Sequence, residues 1–113
     1  MIGHCNSVYG SLSTGATSVL IEGTPLYPSP DRIWKIVERF KVETLLTAPT
    51  YIRMLMKADD SWLKYDRSSL RVLAFGGEPI NPDAWLWYWS VVGQKKCTLI
   101  NLYGQTEGVR TIF

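Results

Sequence analysis

The chain has 113 residues, with 12 Lys and Arg against 10 Asp and Glu, giving a net charge of +2 at neutral pH. Its size suits one domain or part of a larger one, and 46% hydrophobic with 19% charged residues is a globular composition rather than a disordered one. So small a charge excludes a basic nucleic-acid groove or an electrostatic grip on anionic lipid, and the longest apolar stretch, residues 84–92, is far short of the ~20 residues a bilayer demands.

At the amino end, Met1-Ile2-Gly3-His4-Cys5-Asn6 has neither the basic nor the apolar region of a secretory signal. The expected location is therefore a reducing compartment: the cytoplasm, with the mitochondrial matrix as the alternative. Cys5 and Cys97 lie far apart, forming neither a CxxC site nor a disulfide framework, and are read as small, buried or half-buried side chains.

Residues 17–21, Thr-Ser-Val-Leu-Ile, form a β-branched run ended by Gly23 and by Pro25, Pro28 and Pro30, which predicts a strand and then a loop. Ser29 is placed to cap a helix with Pro30 at its first position and Asp31 in its first turn. Ile33, Ile36, Val37 and Phe40 then line one helical face. Residues 42–48 are mostly apolar and stop at Pro49, a second strand, and Ile52, Leu55 and Met56 mark a helix over residues 50–57. The polar stretch 59–69 reads as a surface loop with local structure around Trp62 and Leu63. Residues 70–75 form a third strand, closed by Gly76 and Gly77. Asn81 caps a helix with Pro82 and Asp83 in its first turn, running to Val92 and ending at Gly93. That helix is apolar around most of its circumference, so it is buried or rests against another domain. Residues 98–102 make a fourth strand, and Gly104 starts another loop.

Near-continuous apolar strands alternating with amphipathic helices predict an α/β fold: a mainly parallel sheet with helices on both faces. Ligands of such sheets bind beyond the carboxyl ends of the strands. Two segments occupy such ends: Gly76-Gly77-Glu78-Pro79 and Tyr103-Gly104-Gln105-Thr106-Glu107. Glycines admit close approach of a ligand, and the Thr106 hydroxyl and Glu107 carboxylate are oxygen donors suited to phosphate and a hard cation. Chemistry alone leaves two readings open, a nucleotide–magnesium site or two ordinary βα turns. No GxGxxG follows a strand, so a dinucleotide fingerprint is absent.

These loops carry a resemblance. Tyr103-Gly104-Gln105-Thr106-Glu107 resembles the Tyr-Gly-x-Thr-Glu motif of the adenylate-forming superfamily. Residues 77–82, Gly-Glu-Pro-Ile-Asn-Pro, and 84–89, Ala-Trp-Leu-Trp-Tyr-Trp, are similar to a longer pattern of its acetyl-CoA synthetase branch. Thr47-Ala48-Pro49-Thr50 with Ile52-Arg53, and Arg67-Ser68-Ser69-Leu70-Arg71, look like the same branch, and the likeness runs in order along nearly the whole chain.

The resemblance implies that residues 1–113 are one part of the large AMP-binding (adenylation) domain of an acid–CoA ligase. Such an enzyme joins a short-chain carboxylic acid to ATP, giving acyl-AMP and pyrophosphate, and then transfers the acyl group to coenzyme A. It implies Gly77, Glu78 and Pro79 on the adenine and ribose side. Asn101, Leu102, Tyr103, Gly104, Gln105 and Thr106 would form the other nucleotide wall, with Thr106 and Glu107 as catalytic positions and Glu107 on Mg2+. Gly76 and Gly104 would border the acyl pocket. Where typical acetyl-CoA synthetases carry a pocket-closing Trp, this chain has Gly104, which implies an acid larger than acetate. Leu26 replaces an Asn that contacts coenzyme A, and Gly108-Val109-Arg110 departs from the usual continuation.

The family's phosphate loop, its later Asp and Arg, and the carboxyl-terminal domain with its Lys have no counterpart in these residues. The expected partners therefore include the remainder of a synthetase chain, with self-association through exposed apolar surface. The alternative expectation is a truncated, non-catalytic α/β module that binds nucleotide or other proteins.

Overall fold

The computed structural model describes residues 3–105 and 110–112. A π-helical run, Gly3–Gly10, passes into a short helical turn, α1 (Ser11–Ser13). Then come α2 (Arg32–Phe40), β1 (Thr44–Thr47), α3 (Pro49–Lys57), a 3-10 turn (Asp60–Lys64), β2 (Val72–Gly76) and α4 (Pro82–Trp87). A π-helical extension of α4 (Tyr88–Val92), β3 (Thr98–Gln105) and β4 (Arg110–Ile112) complete the order.

The sheet runs β1-β2-β3-β4. β1, β2 and β3 are parallel, with Leu45 opposite Leu73 and Leu73 opposite Leu99, whereas β3 and β4 are antiparallel. The expected parallel α/β arrangement is thus present, with one antiparallel edge strand added.

The second through fourth predicted strands and the three predicted helices all form, but the expected Asn81 cap does not: Asn81 stands at the N-cap of α4 without a side-chain capping hydrogen bond. Pro49 and Pro82 occupy the first turns of α3 and α4, where a missing N–H costs nothing and the fixed φ suits the helix. Both helices bury an apolar stripe at helical spacing: Ile52 and Leu55 from one, Ala84, Tyr88 and Val92 from the other. They meet Leu45, Leu73 and Phe75 from one face of the sheet, giving a single core into which Trp34 and Trp62 also pack. Fully burying a side chain of this size contributes about 1.5–3 kcal/mol, so this layer dominates the stability. Cys97 is buried in it as expected, whereas Cys5, expected to be buried or half-buried, is exposed.

The other face of the sheet is loosely covered. A cavity of roughly 970 Å³ lies between Leu46, Ala74, Ile100 and Leu102 of the strands and Ser7 and Ser11 of the N-terminal helical segment.

Three further expectations are corrected. Residues 17–21 form no strand, and Leu20 is 79% exposed. A β-branched run becomes a strand only where a neighbour supplies the ladder, and none does among the described residues. The segment after it is tied by a side chain instead: Arg32 donates to the carbonyls of Glu22, Thr24 and Tyr27 at 2.7, 3.0 and 3.0 Å. Second, α2 starts at Arg32 rather than Pro30. The Ser29 hydroxyl is engaged by the Asp31 carboxylate instead of capping the helix, and Pro30 and Asp31 form a turn. Third, the strand predicted over residues 98–102 continues through Gln105. Gly104 therefore opens no loop: it is a ladder residue opposite Thr111.

Asp31 is buried, accepting from the Tyr65 hydroxyl at 2.6 Å and from Lys35 at 3.2 Å. Hydrogen bonds from Ser29, Tyr65 and Lys35 hold its carboxyl well below the ordinary carboxylate range. Asp66 accepts from the Ser68 N–H at 2.8 Å and from Lys41 at 3.1 Å, and these bonds, those of Ser68 first, draw it down to about 2. A depressed carboxyl contributes stability above its unfolded value of 3.8 and loses it as pH falls toward its folded value. The melting temperature should therefore hold from pH 7 to 5 and decline between about pH 4 and 2. The variant D31N should already melt lower at pH 7, with a shallower acid decline; thermal unfolding followed by circular dichroism checks both.

Candidate functional site

The carboxyl ends of β1, β2 and β3 lie along one edge of the sheet because the three strands are parallel and in close register. Thr47 sits opposite Phe75, Phe75 opposite Asn101, and Gly76 opposite Leu102. Three segments consequently leave the sheet side by side: the start of α3, the turn at Gly77-Glu78-Pro79, and the far end of β3.

At Gly76, β2 leaves no room for a side chain beside β3. A Cβ built on Gly76 would stand 2.5 Å from the Leu102 carbonyl oxygen and 3.1 Å from the Leu102 Cβ, so only glycine permits this approach. Gly77 has φ +94°, a left-handed conformation that L side chains avoid. A Cβ there would meet nothing within 4 Å, so the turn presents backbone to open space at the strand end. Pro79 is exposed beside it.

Along β3 the side chains alternate between faces. Asn101 is exposed, Leu102 is buried and Tyr103 is 67% exposed. Gly104 and Gln105 continue the strand as partners of Thr111 and Arg110. Of the sequence-predicted residues, Gly76, Gly77, Glu78, Pro79, Asn101, Leu102, Tyr103, Gly104 and Gln105 therefore belong to two adjacent segments at one sheet edge. Thr106 and Glu107 lie outside the described residues.

Glu78 has well-defined partners. One carboxylate oxygen, Oε1, accepts the Thr50 N–H at 2.7 Å, and Oε2 accepts Arg53 Nη2 at 3.0 Å. Arg53 Nη2 also donates to Thr50 Oγ1 at 2.9 Å. Thr50 stands in the first turn of α3, where N–H groups lack intrahelical acceptors and the helix dipole favours an anion. Hydrogen bonding from Thr50, with the Arg53 charge as a further contribution, holds the Glu78 carboxyl below the ordinary range, so it is ionised at neutral pH and acts only as an acceptor.

The sequence reading did not place Thr50 and Arg53 at this edge. The available signal was topological. A helix beginning directly after a parallel strand puts its first turn at the carboxyl edge of the sheet, and Pro49 directly follows the second predicted strand.

Residues 1–112 match the family model described as AMP-binding enzyme. The chain belongs to that family. AMP-binding relatives include the acetyl-coenzyme A synthetase 2-like, mitochondrial protein of Homo sapiens, 54% identical over 106 residues covering 93% of this chain and 15% of the relative. They also include the acetyl-coenzyme A synthetase of Dictyostelium discoideum, 52% identical over 93% of this chain and 16% of that protein. Among solved structures, an acyl-CoA synthetase of Brucella canis superposes with a TM-score of 0.77 at 31% identity, covering 94% of this chain and 18% of that one. This AMP-binding chain thus spans less than a fifth of the length of these proteins. Among the described residues, no helix is long and apolar enough to cross a membrane.

Proposed function

We propose that residues 1–113 are one subdomain of the AMP-binding domain of an acid–CoA ligase, and that they contribute the adenylate-facing edge of its active site. The observation that carries this reading is the pairing of Gly76 with Leu102. It brings the Gly77-Glu78-Pro79 turn and the Asn101-to-Gln105 segment together at one edge, where open parallel sheets bind ligands. The acetyl-CoA synthetase relatives, similar over 93% of the chain, support the chemistry.

In this reading a carboxylate attacks the α-phosphate of ATP, pyrophosphate leaves, and the thiol of coenzyme A then displaces AMP. The chain's own share is positioning. Gly77 and Pro79 offer backbone to the adenine and ribose, and the exposed faces of Asn101 and Tyr103 form the opposite wall. Thr106 would meet a phosphate, and Glu107 would hold Mg2+, whose hard-cation character fits a hydroxyl and carboxylate donor set. When bound, the ion neutralises phosphate charge.

Gly104 carries the proposal on substrate. Without a side chain there, the acyl pocket has room for several methylenes, each contributing about 0.8 kcal/mol when buried, or roughly fourfold in affinity. Isothermal titration of the chain with non-hydrolysable acyl-adenylate analogues tests both levels. Micromolar binding that strengthens from acetyl to butyryl, and loses that preference in G104W, is the expected result. Binding strongest for the acetyl analogue would remove the larger-acid proposal. The absence of heat at millimolar ligand would leave the chain a non-catalytic module.

The Trp-rich helix motivates a further proposal. Trp85 and Trp89 stack at 6.3 Å between centroids, and Trp85 and Leu86 are exposed. This surface suits contact with the remainder of a synthetase chain or, in the isolated chain, self-association.

A further inference from the structure

We propose that Arg53 is a positioning residue of the adenylate-facing edge: it holds the Glu78 carboxylate, and through it the Gly77-Glu78-Pro79 turn, against the first turn of α3. The proposal rests on the nucleotide-facing role given above to Gly77 and Pro79, and it changes the role of Glu78 from a ligand contact to a tether.

The turn has little packing to hold it. Gly77 is exposed with open space where a side chain would stand, and Pro79 is exposed. Glu78 supplies what packing does not. Its two oxygens reach two groups on a different element, the Thr50 N–H at 2.7 Å and Arg53 Nη2 at 3.0 Å. The contact spans 25 residues of sequence between Arg53 and Glu78. Arg53 is itself fixed, because the same Nη2 donates to Thr50 Oγ1 at 2.9 Å. One guanidinium thus ties the start of α3 to the turn after β2.

Magnitude separates this role from a structural one. The Arg53 and Glu78 side chains are 37% and 34% exposed. Ion pairs of that exposure contribute little to folding, so removing Arg53 should scarcely change stability. A turn released by an ångström at a ligand-facing edge has a much larger effect on binding. Both contacts come from the single nitrogen Nη2, which a Lys ammonium could replace only from a shorter and more mobile stem, so R53K should restore only part of the effect.

The test uses R53M, R53K, E78Q and the R53M/E78Q double variant of the chain, each followed by thermal unfolding, amide NMR and titration with a non-hydrolysable acyl-adenylate analogue. The expected result is a melting temperature within a few degrees of the parent. The Gly77 amide resonance should move and its solvent exchange should speed up in R53M and E78Q. Affinity should fall about tenfold in each, with the double variant no weaker than either single because both remove one link. An unmoved Gly77 amide in R53M overturns the proposal, as does a double variant whose losses add. If the parent chain fails to bind the analogue, the adenylate reading fails, while the Gly77 amide still decides whether Arg53 holds the turn.

Discussion

Replacing Trp62 with alanine should lower stability by about 3–5 kcal/mol, a large part of the ~5–15 kcal/mol that holds a domain of this size together. Trp62 is 1% exposed, although it sits in a polar stretch of sequence on a short 3-10 turn. Its ring stacks on Trp34 with centroids 4.5 Å apart, meets Trp87 edge-on at 5.9 Å, and carries the Arg67 guanidinium 4.8 Å above it. Alanine would leave a cavity and remove all three contacts at once. It would also leave Arg67, itself buried, with the more distant Trp34 at 6.0 Å as its aromatic neighbour. One term opposes the loss. The Trp62 indole N–H is buried without a hydrogen-bond partner, and so is that of Trp34. Deleting such a group relieves a penalty of about 1–3 kcal/mol. W62F should accordingly cost far less than W62A, because it keeps most of the ring and removes the orphaned donor. Urea unfolding followed by circular dichroism measures both. A cost for W62A below that for W62F would refute this account of the cluster.

The second large effect is expected at Gly76. An alanine Cβ would stand 2.5 Å from the Leu102 carbonyl oxygen, which belongs to the backbone of the neighbouring strand and has no rotamer by which to escape. β2 and β3 must separate locally, at a cost of about 1–3 kcal/mol. G77A makes a useful contrast. It meets no atom within 4 Å, but its φ of +94° costs a non-glycine residue on the order of 1–2 kcal/mol. The two variants should lose similar stability for different reasons and differ in the sheet. In G76A the amides of Phe75 and Leu102 should lose protection from hydrogen exchange, whereas in G77A they should keep it. G76A should also weaken any ligand held between the two segments, since it moves one relative to the other. Retained protection at Leu102 in G76A would count against the close approach.

The contrast between these two glycines bears on what was readable from sequence. Gly76-Gly77 was legible as the end of a strand, because a pair of glycines after four apolar residues interrupts any regular element. That the first glycine is required by a neighbouring strand and the second by its own dihedral angle could not be read, since the first depends on register with residues 26 positions away. The same limit explains residues 17–21. Their β-branched run met every local criterion for a strand, yet pairing is a property of two segments, and no partner for them is present among the described residues. Gly104 errs in the opposite sense: glycine suggested a loop, but β4 supplied the ladder that keeps it extended. Ser29 was a sound cap by composition, yet its hydroxyl found the Asp31 carboxylate, which the Tyr65 hydroxyl also binds.

Local chemistry alone determined the three main helices, the strands β1, β2 and the first part of β3, and which loops leave the carboxyl edge of the sheet. Each of these follows from patterns a few residues long: an apolar run, a proline in a first turn, a glycine at an end. The tertiary structure decided what depends on distant pairs. It buried Trp62 from within a polar stretch, paired Gly76 with Leu102, extended β3 past Gly104, and joined Glu78 to Thr50 and Arg53. The physical reason is the same in each case: a hydrogen bond or a packed ring needs two partners, and their distance in space is set by topology rather than by the neighbours either has along the chain.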